Sequence, residues 1–194
     1  MEDSIKQEKQ ILRKKIKELK SQYSLSEFLQ KSESIFNSLA QFDEITKANT
    51  ILVYWSLSDE VNTHHWVESN YKRKQLLLPV VAGDHLLIKQ FEGEANMIPV
   101  PPFGIKEPKG NEITDLSIID IVIVPGMAFD NMGYRMGRGK GYYDRFLPQI
   151  DALKIGICFD FQMVEKVPVD QFDIKMDIIV TESNIYHFTN KKAL

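Results

Sequence analysis

Apolar positions between residues 4 and 20 recur at Ile5, Leu12, Ile16 and Leu19, with lysines and glutamates between them. That spacing predicts an amphipathic helix. Ser24, Leu25, Ser26 and Glu27 form a capping-box pattern, in which the serine oxygen accepts a free amide while the glutamate reaches back. Behind it Leu25, Phe28, Leu29, Ile35, Phe36 and Leu39 make one stripe, which predicts a second helix. The pattern then changes. Thr50 to Trp55 is an unbroken β-branched and aromatic run, as a buried strand requires. Thr63 is placed to cap a helix running to about Lys72. Gln75 to Val81 and His85 to Phe91 read as strands joined across Gly83 and Asp84, a hairpin. Pro99, Pro101, Pro102 and Pro108 predict an irregular course from Met97 to Gly110. Asp120 to Pro125 is the plainest buried strand. A glycine-rich loop from Gly133 to Gly141 leads into a helix from about Tyr142 to Gln149, and Lys154 to Phe159 and Ile178 to Val180 complete the strands. Helices alternating with apolar strands predict an α/β layered domain with a largely parallel or mixed sheet. No repeat or linker divides it, so residues 1–194 read as one domain.

Composition narrows the class. With 43% apolar and 26% charged residues the chain is that of a folded globular protein. Lys and Arg number 24 against 27 Asp and Glu, a net charge of −3. Such a balance supplies no global pull toward nucleic acid or an anionic membrane, so neither is expected as a partner. The single cysteine, Cys158, excludes an internal disulfide and fits a reducing cytosol. No apolar run has transmembrane length and the N-terminus is charged, so a cytoplasmic location is expected.

The densest chemical signal is Gly133 to Asp144. Gly137, Gly139 and Gly141 allow unusual dihedrals and a close approach of amides to a ligand. Arg135, Arg138 and Lys140 add three cations, and the helix beyond offers its positive end to an anion. The loop follows a strand's carboxyl end, where open α/β sheets bind ligands. An anion cradle, most naturally for phosphate, is the expected function. It is neither a Walker A nor a dinucleotide fingerprint: Tyr134 and Gly141 occupy the positions of the first glycine and the hydroxyl, and the glycines fall at every second residue. A mobile loop with solvated arginines is the alternative.

Asp144, beside such a cradle, would repel phosphate unless a cation lay between them, which suggests Mg²⁺. A helix-dipole role in the first turn fits it equally well. Asp177, before its strand, is a second candidate ligand or an ordinary strand-end residue. Lys9 and Arg13, four apart, share a helix face and can close on a triphosphate, although most of the cations of that helix (Lys9, Arg13, Lys14, Lys15, Lys17 and Lys20) read as a solvated face. Glu60, with Trp55 near, has the composition of a flat-ring pocket whose carboxylate accepts from a heterocycle's N–H groups. The segment around Phe103 reads as a lid or a plain long loop. His64, His65, His85 and His187 are expected to be structural or exposed, and Cys158 a small core residue. No covalent nucleophile stands out.

Taken in order, Lys9 with Arg13, Ser58 to Thr63, Phe103 to Pro108, Val124 to Asp130, Arg135 to Asp144, and Asp177 with Thr181 and Glu182 resemble the 5-formyltetrahydrofolate cyclo-ligase family over almost the whole chain. Met136 stands where a leucine is common, a volume-conserving change. The resemblance implies a three-layer α/β/α fold like that of sugar-phosphate isomerases and CoA transferases. It also implies ATP-dependent closure of 5-formyltetrahydrofolate to 5,10-methenyltetrahydrofolate, with Mg²⁺ as cofactor. By similarity Lys9, Arg13, Arg135, Met136, Gly137, Arg138, Gly139, Lys140, Gly141, Tyr142 and Tyr143 hold ATP, with Arg138 and Lys140 catalytic. Trp55, Glu60, Phe103, Arg138, Gly139, Lys140, Gly141 and Tyr142 contact the folate, and Asp144 and Asp177 serve Mg²⁺. The expected partners are small molecules, reduced folate and ATP, on a monomer. Two rival functions stay open: an isomerase or transferase on the same fold, with a carboxylate base and no ATP, and an RNA-binding module using the Arg/Gly loop with Tyr142 and Tyr143.

Overall fold

The computed structural model describes residues 2–100 and 105–188. Among these residues there are five helices, α1 (Glu2–Lys20), α2 (Leu25–Leu39), α3 (Asp43–Lys47), α4 (His64–Asn70) and α5 (Tyr142–Phe146). The strands are β1 (Thr50–Leu52), β2 (Gln75–Ala82), β3 (His85–Gln90), β4 (Met97–Val100), β5 (Ile105–Pro108), β6 (Ile121–Val124), β7 (Ala128–Asp130), β8 (Arg135–Met136), β9 (Leu153–Ile157), β10 (Met163–Val164), β11 (Ile178–Val180) and β12 (Ile185–His187).

Seven strands form the main sheet in the order β12-β11-β9-β6-β1-β2-β3. The five inner strands run parallel, with Ile51 opposite Ile121 and Ile123 opposite Ile155, and β3 and β12 close the two edges antiparallel. Alternation explains the apolar runs. Ile51, Ile121, Ile123, Ile155 and Val180 join one core, beneath α2, α3 and α4, while Leu52, Val122, Val124 and Ile179 join the other with Phe146 and Leu147. A strand buried on both faces has no polar face to show. The architecture is thus α/β, with a large mixed sheet flanked by helices.

A small sheet, β10-β7-β8, lies beyond the main one, and α1 packs on it through Ile16, which clusters with Met127, Ala128, Met136 and Val167. The capping box at Ser24 forms as expected, with Glu27 N–H donating to Ser24 Oγ and Ser24 N–H to Glu27.

Four expectations need correction. Met97 to Gly110 is not irregular throughout, since β4 and β5 pair as an antiparallel ribbon. Two strands alone leave each an open outer edge, where a proline's missing N–H interrupts no ladder. Thr63 stands at the N-cap position of α4 as expected, but its side chain makes no capping bond. Its hydroxyl donates to Tyr54 O (2.7 Å) and accepts from Ser56 N–H (3.2 Å), tying the end of the β1 segment to the helix start. Only Thr50–Leu52 of the run to Trp55 is strand, and the helix from Tyr142 ends at Phe146, giving way to a 3₁₀ turn that contains Pro148.

Candidate active site

The chain leaves β1 toward β2 on one side, then returns to place β6 on the other. Between β1 and β6 the connections diverge, and the carboxyl ends of these strands frame a crevice, the place where such sheets take ligands. A cavity of about 320 Å³ opens there. Tyr54 and Trp55 continue from β1 on its wall, and Pro125 and Gly126 from β6. β2 overhangs the edge with Pro79 and Val81, and Lys106 and Glu107 of β5 reach over it. The remaining side is the glycine loop, with Gly137, Arg138, Lys140, Gly141, Tyr142 and Tyr143.

The loop is anchored at both ends. Asp130, 1% exposed, accepts from Met132 N–H (2.9 Å) and Tyr134 N–H (3.0 Å) with one oxygen and from Val167 N–H (2.9 Å) with the other. This fixes the turn between β7 and β8. Beyond β8 the backbone passes through Gly139 (φ +99°) and Gly141 (φ +69°), left-handed conformations that a side chain would strain. Arg145 of α5 donates to Lys140 O (3.0 Å) and to Asp84 O (3.0 Å from Nε), and Tyr142 Oη donates to Gly83 O (3.3 Å). The tip of the β2–β3 hairpin is thereby tied to the start of α5.

Arg135 is buried beneath the loop. Its Nη2 donates to Asp144 Oδ1 (2.6 Å), its Nη1 to Pro125 O (3.2 Å), and its guanidinium lies over the Tyr143 ring. Its Nε is buried without a partner among the described residues. Burial pushes the Tyr143 hydroxyl well above the usual tyrosine range, so it stays protonated.

Arg138 spans the mouth. Its Nε donates to Glu60 Oε1 (2.9 Å) and its Nη2 to Asp59 Oδ1 (2.5 Å). Glu60 Oε2 accepts from Leu57 N–H (3.0 Å), so its carboxylate is oriented from both sides. From α1, Arg13 Nε donates to Gly137 O (3.0 Å), and its guanidinium lies against Gly139, where a β-carbon would stand 3.2 Å away. Lys140 is exposed on the cavity rim.

The structure therefore brings Trp55, Glu60, Arg135, Arg138, Lys140, Tyr142, Tyr143 and Asp144 to one cavity, with Arg13 behind the loop. Three expected residues lie elsewhere. Lys9 does not border the cavity, because its ammonium is held by Asp170 (2.9 Å) and Asp173 (2.6 Å). Met136 is 1% exposed and packs in the core beside Ile16, so only its main chain belongs to the loop. Asp177 precedes β11 and so sits at the amino ends of the parallel strands, where its Oδ2 accepts from Lys154 N–H (2.9 Å). Asp144 lines the cavity, whereas Asp177 does not. Phe103 lies outside the described residues. Among the described residues no three His, Cys, Asp or Glu side chains gather as a metal site.

The model of the 5-formyltetrahydrofolate cyclo-ligase family matches residues 5–182. The chain belongs to that family. It is 31% identical to 5-formyltetrahydrofolate cyclo-ligase of Escherichia coli strain K12 over 156 residues, covering 76% of this chain and 85% of that protein. The NMR structure of Aquifex aeolicus 5,10-methenyltetrahydrofolate synthetase superposes with a TM-score of 0.84 at 35% identity, covering 96% and 95% of the two chains. A Mycoplasma pneumoniae 5,10-methenyltetrahydrofolate synthetase gives 0.71 at 26% identity, with 90% and 98% covered. As a cyclo-ligase family member the chain is an enzyme of the ligase class. Its matched span contains every described residue of the cavity wall.

Sequence reasoning gave no role of their own to Asp130 and Arg145, took Asp59 only as the neighbour of Glu60 at a ligand-facing edge, and read Lys20 as part of a solvated face, whereas its side chain is buried. Lys20 had a readable signal, since Lys9, Arg13, Ile16 and Lys20 follow one another at steps of four, three and four, a single helix stripe.

Proposed function

We propose that the chain closes 5-formyltetrahydrofolate to 5,10-methenyltetrahydrofolate at the expense of ATP, releasing ADP and phosphate, with Mg²⁺ present. The observation that carries this reading is the pairing of an aromatic-walled cavity with a cation-bearing glycine loop at the sheet's switch point. A flat heterocycle and a chain of phosphates fit side by side there.

A formyl group on nitrogen is a poor electrophile, and its oxygen a poor leaving group. Transfer of the γ-phosphoryl group to that oxygen turns it into a phosphate, which departs when N10 of the folate attacks the same carbon. Phosphoryl transfer asks the protein for alignment and charge stabilisation. Lys140, Arg13 and the loop amides neutralise the phosphates on one side. Glu60, fixed by Leu57 and Arg138, receives N–H groups of the pterin and points the formyl oxygen at the loop. Trp55 forms a wall for the ring. Arg138 stands between the two ligands. Tyr142 closes the loop side and Arg135 supports it from below.

The donor set fits a magnesium ion that takes most of its ligands from phosphate and water. Asp144 spends Oδ1 on Arg135, while its Oδ2 takes no hydrogen bond among the described residues. When bound, the ion offsets charge on the transferring phosphoryl group. The same reading treats residues 1–194 as one unit acting on two small molecules as a monomer in the cytoplasm.

The test is a rise in absorbance of the methenyl product when ATP and Mg²⁺ meet enzyme and 5-formyltetrahydrofolate, with ADP released in equal amount. No ATP-dependent rise, or product formed without ADP, overturns the reading.

A further inference from the structure

We propose that Lys20 and Asp59, neither of which borders the cavity, form a clamp that sets the position of Arg138 and Glu60 and so aligns the folate half of the site with the phosphate half. The proposal rests on the function proposed above and names positioning residues for that reaction.

Lys20 is the last residue of α1, and its side chain is 4% exposed. Its ammonium donates to Asp59 O (2.5 Å) and to Asp59 Oδ2 (3.1 Å). A cation at a helix C-terminus is favoured by the dipole, but burying it costs more than that unless a counter-charge is fixed beside it. Asp59 is that counter-charge, and it is bidirectional. Its other carboxylate oxygen receives Arg138 Nη2, while Arg138 Nε goes to Glu60. Two cations and two carboxylates alternate in one chain, Lys20–Asp59–Arg138–Glu60, which runs from a buried helix end to the cavity wall.

Burial alone would push the Asp59 carboxyl up, but Lys20 and Arg138 hold it below the usual aspartate range. The charges balance, so Arg138 is restrained by direction rather than by excess negative charge. Without Lys20, Asp59 carries one unshared negative charge and draws Arg138 toward itself, away from Glu60. Glu60 then keeps only the Leu57 amide. Displacement of a positioning group by about 1 Å can cost about a hundredfold in rate.

A plain structural ion pair between α1 and the 57–60 turn would behave differently, because its loss lowers the melting temperature without touching the kinetic constants. The experiment compares wild type, Lys20→Met, Lys20→Arg, Asp59→Asn and the Met/Asn double variant. It follows kcat and KM for each substrate, calorimetric binding of 5-formyltetrahydrofolate, and thermal unfolding. Expected for Lys20→Met are a weaker 5-formyltetrahydrofolate affinity and a lower kcat, each by about tenfold. Lys20→Arg regains most of both. The double variant is no worse than the more impaired single variant, since the two residues act as one unit. Unchanged kcat and folate affinity in Lys20→Met and Asp59→Asn, whatever the melting temperature, overturn the clamp, as do additive losses. Should Lys20→Met not fold, Lys20→Arg and Asp59→Asn decide: equality of both with wild type overturns it, and a loss confined to Asp59→Asn supports it. Wild-type enzyme without turnover removes the proposed function and the clamp together, whereas active wild type beside unaffected variants removes the clamp alone.

Discussion

His64 lies parallel to Trp55, with ring centroids 3.9 Å apart and planes 12° from each other, and its Nε2 is 3.0 Å from Ser56 O. A carbonyl oxygen only accepts, so Nε2 carries the proton. Burial lowers the imidazole pKa from its ordinary 6.5, more than the Ser56 bond raises it. The folded state thus favours the neutral ring. Its contribution is complete above the unfolded pKa and is lost as pH falls through the lower folded value. Between pH 7.5 and 5.5 the melting temperature of wild type should therefore fall further than that of His64→Phe; parallel curves would contradict this. Gly126 makes a second prediction. A β-carbon there would stand 2.5 Å and 2.6 Å from two atoms of the fully buried Phe129 ring. Gly126→Ala should cost about 1–3 kcal/mol, read from the urea midpoint, because that ring has nowhere to turn. At this scale the sequence was uneven. Glu60 and Trp55 were legible as neighbours and do share one cavity wall, yet the sequence does not show that Asp177 stands off that wall, because adjacency to a strand does not say which end of the strand it marks.

Among the elements, the loop between β8 and α5 joins exposure to restraint. Lys140 is solvent-exposed and its ammonium takes no partner among the described residues, whereas the backbone around it is pinned by Arg13 and Arg145. Lys140→Ala should alter stability by no more than about 0.5 kcal/mol. It should lower kcat/KM for ATP on the order of a hundredfold, the cost of one preorganised donor. Steady-state kinetics at saturating folate beside a thermal melt checks both halves. The apolar run 121–124 announced itself, since two-sided burial leaves no polar position, and 76–78 is as fully buried within the longer β2. The two- and three-residue strands β7, β8 and β10 did not, because they span too little chain to show a period. β8 was hidden inside the glycine loop: its ladder partner is β7, and nothing local to Arg135 and Met136 favours extension.

In the molecule as a whole, Cys158 is a reporter. It is the only cysteine, is fully buried, and burial pushes its thiol up, so the reactive thiolate is scarce in the native state. Labelling by a thiol reagent should be negligible under native conditions and complete in denaturant, with a rate set by opening of the sheet. Prompt labelling of the folded enzyme would show that the segment just past β9 is accessible. The α/β class and the position of the crevice were legible from the alternation of elements, while the seven-strand order was not, since strand neighbours depend on contacts far apart in sequence. No helix among the described residues is long and apolar enough to cross a membrane. The packing of α1 carries its own consequence. Helix α1 is translated before everything it rests upon: Gly137 meets Arg13, the 170–173 turn meets Lys9, and Val167 meets Ile16. A nascent chain that has not yet reached Asp173 lacks part of the surface on which α1 rests, so the docking of this helix waits on segments made well over a hundred residues after it.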